Sequence, residues 1–196
     1  MVQPATAEPP AAEEPALIPW RISSERYIKM IADGVIGPGD KIELVNGIIV
    51  EMSPADPEHH YIITRLVRSL LPPPESAEPL IQGTVRISEG QVFDPDYVLL
   101  RPGIDFRTRH PGPEDLLLVV ESAKSSLAKD RGPKLRAYAA AGVPDYWIAD
   151  VQRGVLITHR EPRGDSYRIV EERRGDDRVS PLRLPQLSLR VGDLFE

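Results

Sequence analysis

Two carboxylates stand at the margins of short apolar runs. Asp96 follows Pro95 and opens the stretch Tyr97-Val98-Leu99-Leu100, and Glu121 closes the run Leu116-Leu117-Leu118-Val119-Val120. A carboxylate at the end of a buried strand is costly to desolvate unless something pairs with it. A divalent cation is one such partner. Mg²⁺ takes one or two carboxylates and completes its coordination with water and phosphate oxygens. Two such residues on neighbouring strands could share a metal, which points towards metal-dependent phosphodiester chemistry. A salt bridge or a capped loop would explain either residue taken singly.

A third group lies downstream. Asp130, Lys134 and Tyr138 are spaced i, i+4, i+8 and share one face of a helix. A short loop joins the Glu121 strand to this helix, so Lys134 can reach back towards both carboxylates. A lysine there can orient or deprotonate an attacking water, or offset charge in the transition state. The competing reading is an Asp130–Lys134 surface pair worth a few tenths of a kcal/mol.

Several elements must position these groups. Ser23 or Ser24 caps a helix over 25–32 that Gly34 ends. Strands over 41–45 and 48–52 flank Asn46-Gly47, whose tolerance of positive φ marks a type I′ hairpin. Asp56-Pro57 starts a second helix, with Ile62, Ile63, Leu66, Val67, Leu70 and Leu71 on one face and Pro72-Pro73-Pro74 ending it. Strands follow over 80–88, 91–93 and 97–100, with a turn at Glu89-Gly90. The strand 116–121 has no polar alternation, so both its faces are covered. A third helix covers 132–140, with Pro133 in its first turn and Gly142 and Pro144 at its end. Residues 146–149 read as a strand, and 155–159 with 167–171 as a hairpin. The segment after Arg178 packs back on the domain. Residues 1–18 are Pro, Ala and Glu with little to bury, and read as a disordered tail ahead of a single domain over 19–196.

The composition narrows the classes. The chain has 196 residues, enough for one substantial core, and its formal net charge is −6, unlike a protein that coats nucleic acid non-specifically. Basic residues still cluster locally, at Arg107, Arg109 and His110, then Lys129, Arg131, Lys134 and Arg136, then Arg173 and Arg174, so a basic cleft remains open. No apolar run is long enough to span a bilayer, and the start shows neither a basic n-region nor an apolar h-region. Cysteine is absent, which removes disulfides and thiolate metal sites and fits a reducing cytoplasm, the location expected.

Several ordered motifs resemble a known family. They are Glu43-Leu44-Val45-Asn46-Gly47 with Glu51-Met52-Ser53-Pro54, His59 leading an apolar helix, Asp94-Pro95-Asp96-Tyr97-Val98, and the stretch from Val119-Val120-Glu121 through Asp130-Arg131-Gly132-Pro133-Lys134 and Tyr138-Ala139 to Tyr146-Trp147-Ile148. Together they resemble the Uma-two family of restriction-endonuclease-like proteins, within the PD-(D/E)XK nuclease superfamily, over roughly residues 22–195. The resemblance implies a restriction-endonuclease-like α/β fold, mixed α+β, with a central mixed sheet flanked by helices. It also implies a metal-dependent deoxyribonuclease acting on DNA with Mg²⁺, for which Mn²⁺ can substitute. A homodimer is left open, since cutting two strands takes two sites.

Residue by residue, the resemblance makes Asp96, Glu121 and Lys134 catalytic. Asp96, Glu121 and Glu43 become metal ligands. His59, Lys124, Asp130 and Tyr138 become phosphate contacts or supports of the ligands, and a helix N-terminus favours His59 as a neutral donor. The superfamily pattern has a lysine two residues after the second acid. Here that position is Ala123, and Lys124, one step further, would face the other side of a continuing strand. The role passes to Lys134. The rival reading is a non-catalytic protein-interaction module that keeps the nuclease fold.

Overall fold

The computed structural model describes residues 18–54, 56–71, 75, 77–105 and 107–196. The proposed tail, apart from the exposed Ile18, and the Pro72-Pro73-Pro74 stop lie outside the described residues. The Asn46-Gly47 hairpin forms as its chemistry requires. Asn46 and Gly47 have φ of 51° and 76°, and the turn joins β1 (Ile42–Val45) to β2 (Ile48–Glu51). Helix α1 (Ser24–Ala32) is capped by the Ser23 hydroxyl, which accepts from Arg26 N–H. Helix α2 (Pro57–Leu70) is capped by Asp56, which accepts from His59 N–H, and buries Ile62, Ile63, Leu66 and Leu70.

The expected strand over 80–88 is two strands in two different sheets. β3 (Glu78–Ile81) ends where Gln82 turns to φ 49°, and β4 (Val85–Ser88) restarts beyond Gly83. β4 turns into β5 (Gln91–Phe93), which completes a four-stranded sheet in the order β2-β1-β5-β4.

The larger sheet holds β6 (Tyr97–Leu100), β7 (Leu116–Ala123), β8 (Asp145–Asp150), β9 (Val155–Arg163) and β10 (Ser166–Arg173), in the order β10-β9-β8-β7-β6-β3. β7 and β8 run parallel and the other neighbours antiparallel, so the sheet is mixed. A parallel pair needs a crossover, and a kinked helical segment supplies it. That segment begins with α3 (Leu127–Lys129), kinks at Gly132 within the wide turn Asp130–Lys134, and continues as α4 (Leu135–Ala140). The helical chain thus starts five residues before the expected 132, and Pro133 lies inside it. Its boundary was misplaced because Gly-Pro ordinarily opens a helix, whereas here it kinks one.

Both faces of the sheet are covered, which explains the unbroken apolar run of β7. On one face Tyr97, Leu99, Leu118, Val120 and Trp147 pack with α2 and with the C-terminal residues Leu189 and Leu194. On the other, Val98, Val119, Tyr146 and Ile148 pack with Tyr138 of the kinked helix and with Val85 and Phe93 of the smaller sheet. The tail does fold back, through the short pair β11 (Arg178–Val179) and β12 (Leu189–Arg190) and the turn of helix α5 (Gly192–Phe195). No helix of the described residues is long and apolar enough to cross a membrane.

One buried titratable group makes this core sensitive to acid. His159 of β9 is buried beside Tyr146 and Tyr167, with Nδ1 3.2 Å from the Tyr146 carbonyl. Burial lowers its pKa to about 4. The unfolded imidazole titrates near 6.5, so between these values the unfolded chain binds more protons, and stability is lost as pH falls. Between pH 7 and 4.5 this group alone should remove about 2–3 kcal/mol. Urea unfolding of wild type and His159→Phe should therefore show their stability difference shifting by that amount in favour of the variant. A constant difference across the range would contradict it.

Candidate active site

The antiparallel pairing of β6 with β7 sets Tyr97 against Val120, so Asp96 and Glu121 step off the paired segment beside each other. Alternation puts both on one face of the sheet, the face of Val98 and Val119 that meets the kinked helix. The Ser122 amide donates to Asp96 Oδ2 at 2.7 Å, which ties the start of β6 to the residue after Glu121. Both carboxylates line a polar cavity of about 50 Å³, together with His59, Lys129, Asp130 and Lys134.

Lys134 is the hub of this cavity wall. Its Nζ lies 2.8 Å from Glu121 Oε1, 2.7 Å from Glu43 Oε1 and 3.9 Å from Asp130 Oδ1. Tyr138 donates to the same Glu121 oxygen at 3.2 Å. Of the i, i+4, i+8 set, Lys134 and Tyr138 meet on Glu121, while Asp130 faces Lys134. Ser126 donates to Asp130 Oδ2 at 2.5 Å, and Tyr146 donates to the Asp130 carbonyl at 3.1 Å, so the start of the wide turn is pinned at two points. Tyr146 and Trp147 are fully buried, as core residues.

The electrostatics follow from burial. Burial pushes the Glu121 carboxyl well above the usual range; Lys134 opposes that shift, while Asp130, Asp96 and Glu43 add to it. Burial would also neutralise Lys134, but the carboxylates of Glu121, Glu43 and Asp130 outweigh it and hold the ammonium charged. Burial raises Asp130 as well, against the pull of Lys134 and Ser126. His59 meets Asp96. Its Nε2 lies 3.2 Å from Asp96 Oδ1, and that hydrogen bond raises its pKa against the effect of burial. The Asp96 carboxylate thus favours the protonated imidazole, whereas the helix N-terminus favours the neutral one.

Lys124 takes no part in this cluster. It pairs with Asp56 and Glu58 at the start of α2, at 2.9 and 2.6 Å, on the rim of the cavity. β7 ends at Ala123, and the side chain leaves towards α2. Glu43, from β1, has both oxygens engaged, by Lys134 and Lys129 and by the Asp94 amide. Lys129 is a site residue the sequence reading did not single out. The signal was its position five residues before Lys134, which has no meaning on a regular helix.

Acids outnumber bases at this wall. Glu43, Asp96, Glu121 and Asp130 set four formal negative charges against the two ammoniums of Lys129 and Lys134, a deficit of two. Among the described residues no three His, Asp or Glu side chains form a ready ligand cluster. An ion between Asp96 and Glu121 would complete its shell with water, as Mg²⁺ does.

Family and fold are those of a nuclease-like protein. A family described as "Putative restriction endonuclease" matches residues 24–192, and the chain belongs to that family, Uma-two. A crystal structure of a putative nuclease belonging to DUF820 from Anabaena variabilis has the same fold, with a TM-score of 0.69 at 15% identity over 89% of this chain and 97% of that one. The curated proteins contain no match.

Lys134 sits where removal of one charge leaves others buried without compensation. Lys134→Met should destabilise the protein by about 3–5 kcal/mol, measured by urea unfolding at pH 7. A loss under about 1 kcal/mol would mean that the buried carboxylates do not depend on it.

Proposed function

We propose that this protein is a Mg²⁺-dependent endonuclease that hydrolyses DNA phosphodiester bonds, with Mn²⁺ able to substitute. The observation that carries the reading is the meeting of Asp96, Glu121 and a charged Lys134 on one polar cavity. Asp96 and Glu121 would hold the metal. Bound there, it would polarise a phosphoryl oxygen and acidify a water. Lys134 supplies fixed positive charge where negative charge develops on the phosphate. An ammonium held by three carboxylates is a poor general base, so of its two expected roles the electrostatic one is proposed. Tyr138 fixes the Glu121 carboxylate, and Asp130, steadied by Ser126, helps to hold Lys134. His59 orients Asp96 from the start of α2. Lys124, on the rim, is placed to meet a phosphate of the approaching strand. DNA as the substrate follows from the restriction-endonuclease description of the family.

The test is cleavage of supercoiled plasmid with Mg²⁺ or Mn²⁺. Wild type should nick or linearise it, and Asp96→Ala, checked for an unchanged fold by circular dichroism, should lose at least about 10²-fold in rate. If wild type cleaves no DNA with any divalent ion, the reading fails and a non-catalytic module that keeps the fold becomes the better account.

A further inference from the structure

Glu43 is expected from sequence among the metal ligands, yet its carboxylate is already spoken for. Oε2 takes Lys129 Nζ at 2.8 Å, and Oε1 takes Lys134 Nζ at 2.7 Å and the Asp94 amide at 3.1 Å. The side chain is fully buried, in the wall formed by the two lysines. Burial raises its pKa, but Lys134 and Lys129 more than reverse this and keep it ionised. Lys129 itself lines the cavity that Asp96 and Glu121 share, and its side chain stays 21% exposed, against 3% for Lys134.

The two lysines are five residues apart. On a regular α-helix of 3.6 residues per turn they would point about 140° apart, and both could not grip one carboxylate on a facing strand. The helix is not regular here. The Leu135 amide bonds to the Asp130 carbonyl, an i→i+5 closure. Gly132 leaves helical geometry with φ −108° and ψ −106°, and Pro133 has no N–H to give. The break at Gly132 redirects the chain, so that Lys129 before it and Lys134 after it both reach Glu43. The product is a pair of cations on one cavity wall, one sealed and one reachable.

We propose that Glu43 is a positioning residue and not a metal ligand, and that Lys129, presented beside Lys134 by the turn at Gly132-Pro133, is a second cation of the site that contacts the substrate phosphate. The identity of that phosphate, a nucleic-acid backbone, rests on the nuclease reading. The arrangement of the two lysines does not. An incoming phosphate would meet the exposed part of Lys129 first, with Glu43 holding the ammonium at the cavity wall.

Two measurements without turnover test this. The first is binding of a labelled DNA duplex in EDTA across a salt series. Lys129→Ala should weaken binding about tenfold at low salt and lower the log–log salt slope by about 1, while Lys129→Arg restores both. The second is Mn²⁺ binding by calorimetry. Glu43→Gln should stay within about threefold of wild type, whereas Asp96→Ala should lose binding. In cleavage assays Lys129→Ala should raise KM more than it lowers kcat. An unchanged salt slope and KM in Lys129→Ala would overturn the role of Lys129. Loss of Mn²⁺ binding in Glu43→Gln equal to that in Asp96→Ala would overturn the role of Glu43. Should Glu43→Gln fail to fold, the Lys129 variants still judge Lys129, and the ligands of a Mn²⁺ anomalous peak in a wild-type crystal judge Glu43. If wild type binds DNA but never cleaves it, the nuclease reading fails while the salt slope still judges Lys129. If wild type cleaves and the slope does not move, the Lys129 assignment fails alone.

Discussion

The ammonium of Lys134 joins three parts of the chain at one buried point. It is buried, and it reaches Glu121 from the larger sheet, Glu43 from the smaller one and Asp130 on its own helix. A charge taken that far from water is tolerated only when paired and hydrogen-bonded. The pairing therefore fixes the distance between the two sheets at this end of the molecule and the depth at which the kinked helix sits between them. The aromatic cluster around Tyr138, which touches Phe93 on one side and Tyr146 on the other, fills the remaining space.

The same constraint explains why the site is tense electrostatically. Four carboxylates share two lysines, and burial drives Glu121 towards its neutral form. A structural ion-pair network would be expected to balance its charges. This one stays acidic on the side that opens to the cavity, where Asp96 is held in place by the Ser122 amide and by His59. On the proposed reading, a cation bound there would relieve the excess. The wide turn at Gly132-Pro133 belongs to the same design, because it lets one short helix offer two lysines to a single acid.

Much of this was legible in the sequence, and the reasons are local. Asn46-Gly47 can hardly adopt anything but the turn it forms, and Asp56-Pro57 names a helix start. The unbroken apolar run before Glu121 announced a strand covered on both faces. The reach of Lys134 back to Glu121 followed from the short loop between strand and helix, although its partners are Glu43 and Asp130 where Asp96 was expected. What escaped was long-range or irregular. The strand expected over 80–88 divides between two sheets because Gln82 turns to positive φ, a choice made by tertiary contacts. The kinked helix was begun too late because Gly-Pro reads as a boundary. Glu43 meets Lys129 across 86 residues, a partnership that no spacing rule can suggest.

The central claim is that Asp96 and Glu121 form one divalent-cation site beside a permanently charged Lys134. Anomalous diffraction from a crystal soaked in Mn²⁺ tests it most directly. The account predicts a single strong peak within bonding distance, about 2.0–2.4 Å, of an oxygen from each of Asp96 and Glu121, with Lys134 still against Glu43. A peak bonded to Glu43 in place of either acid, or no peak in this cavity at millimolar Mn²⁺, would contradict it.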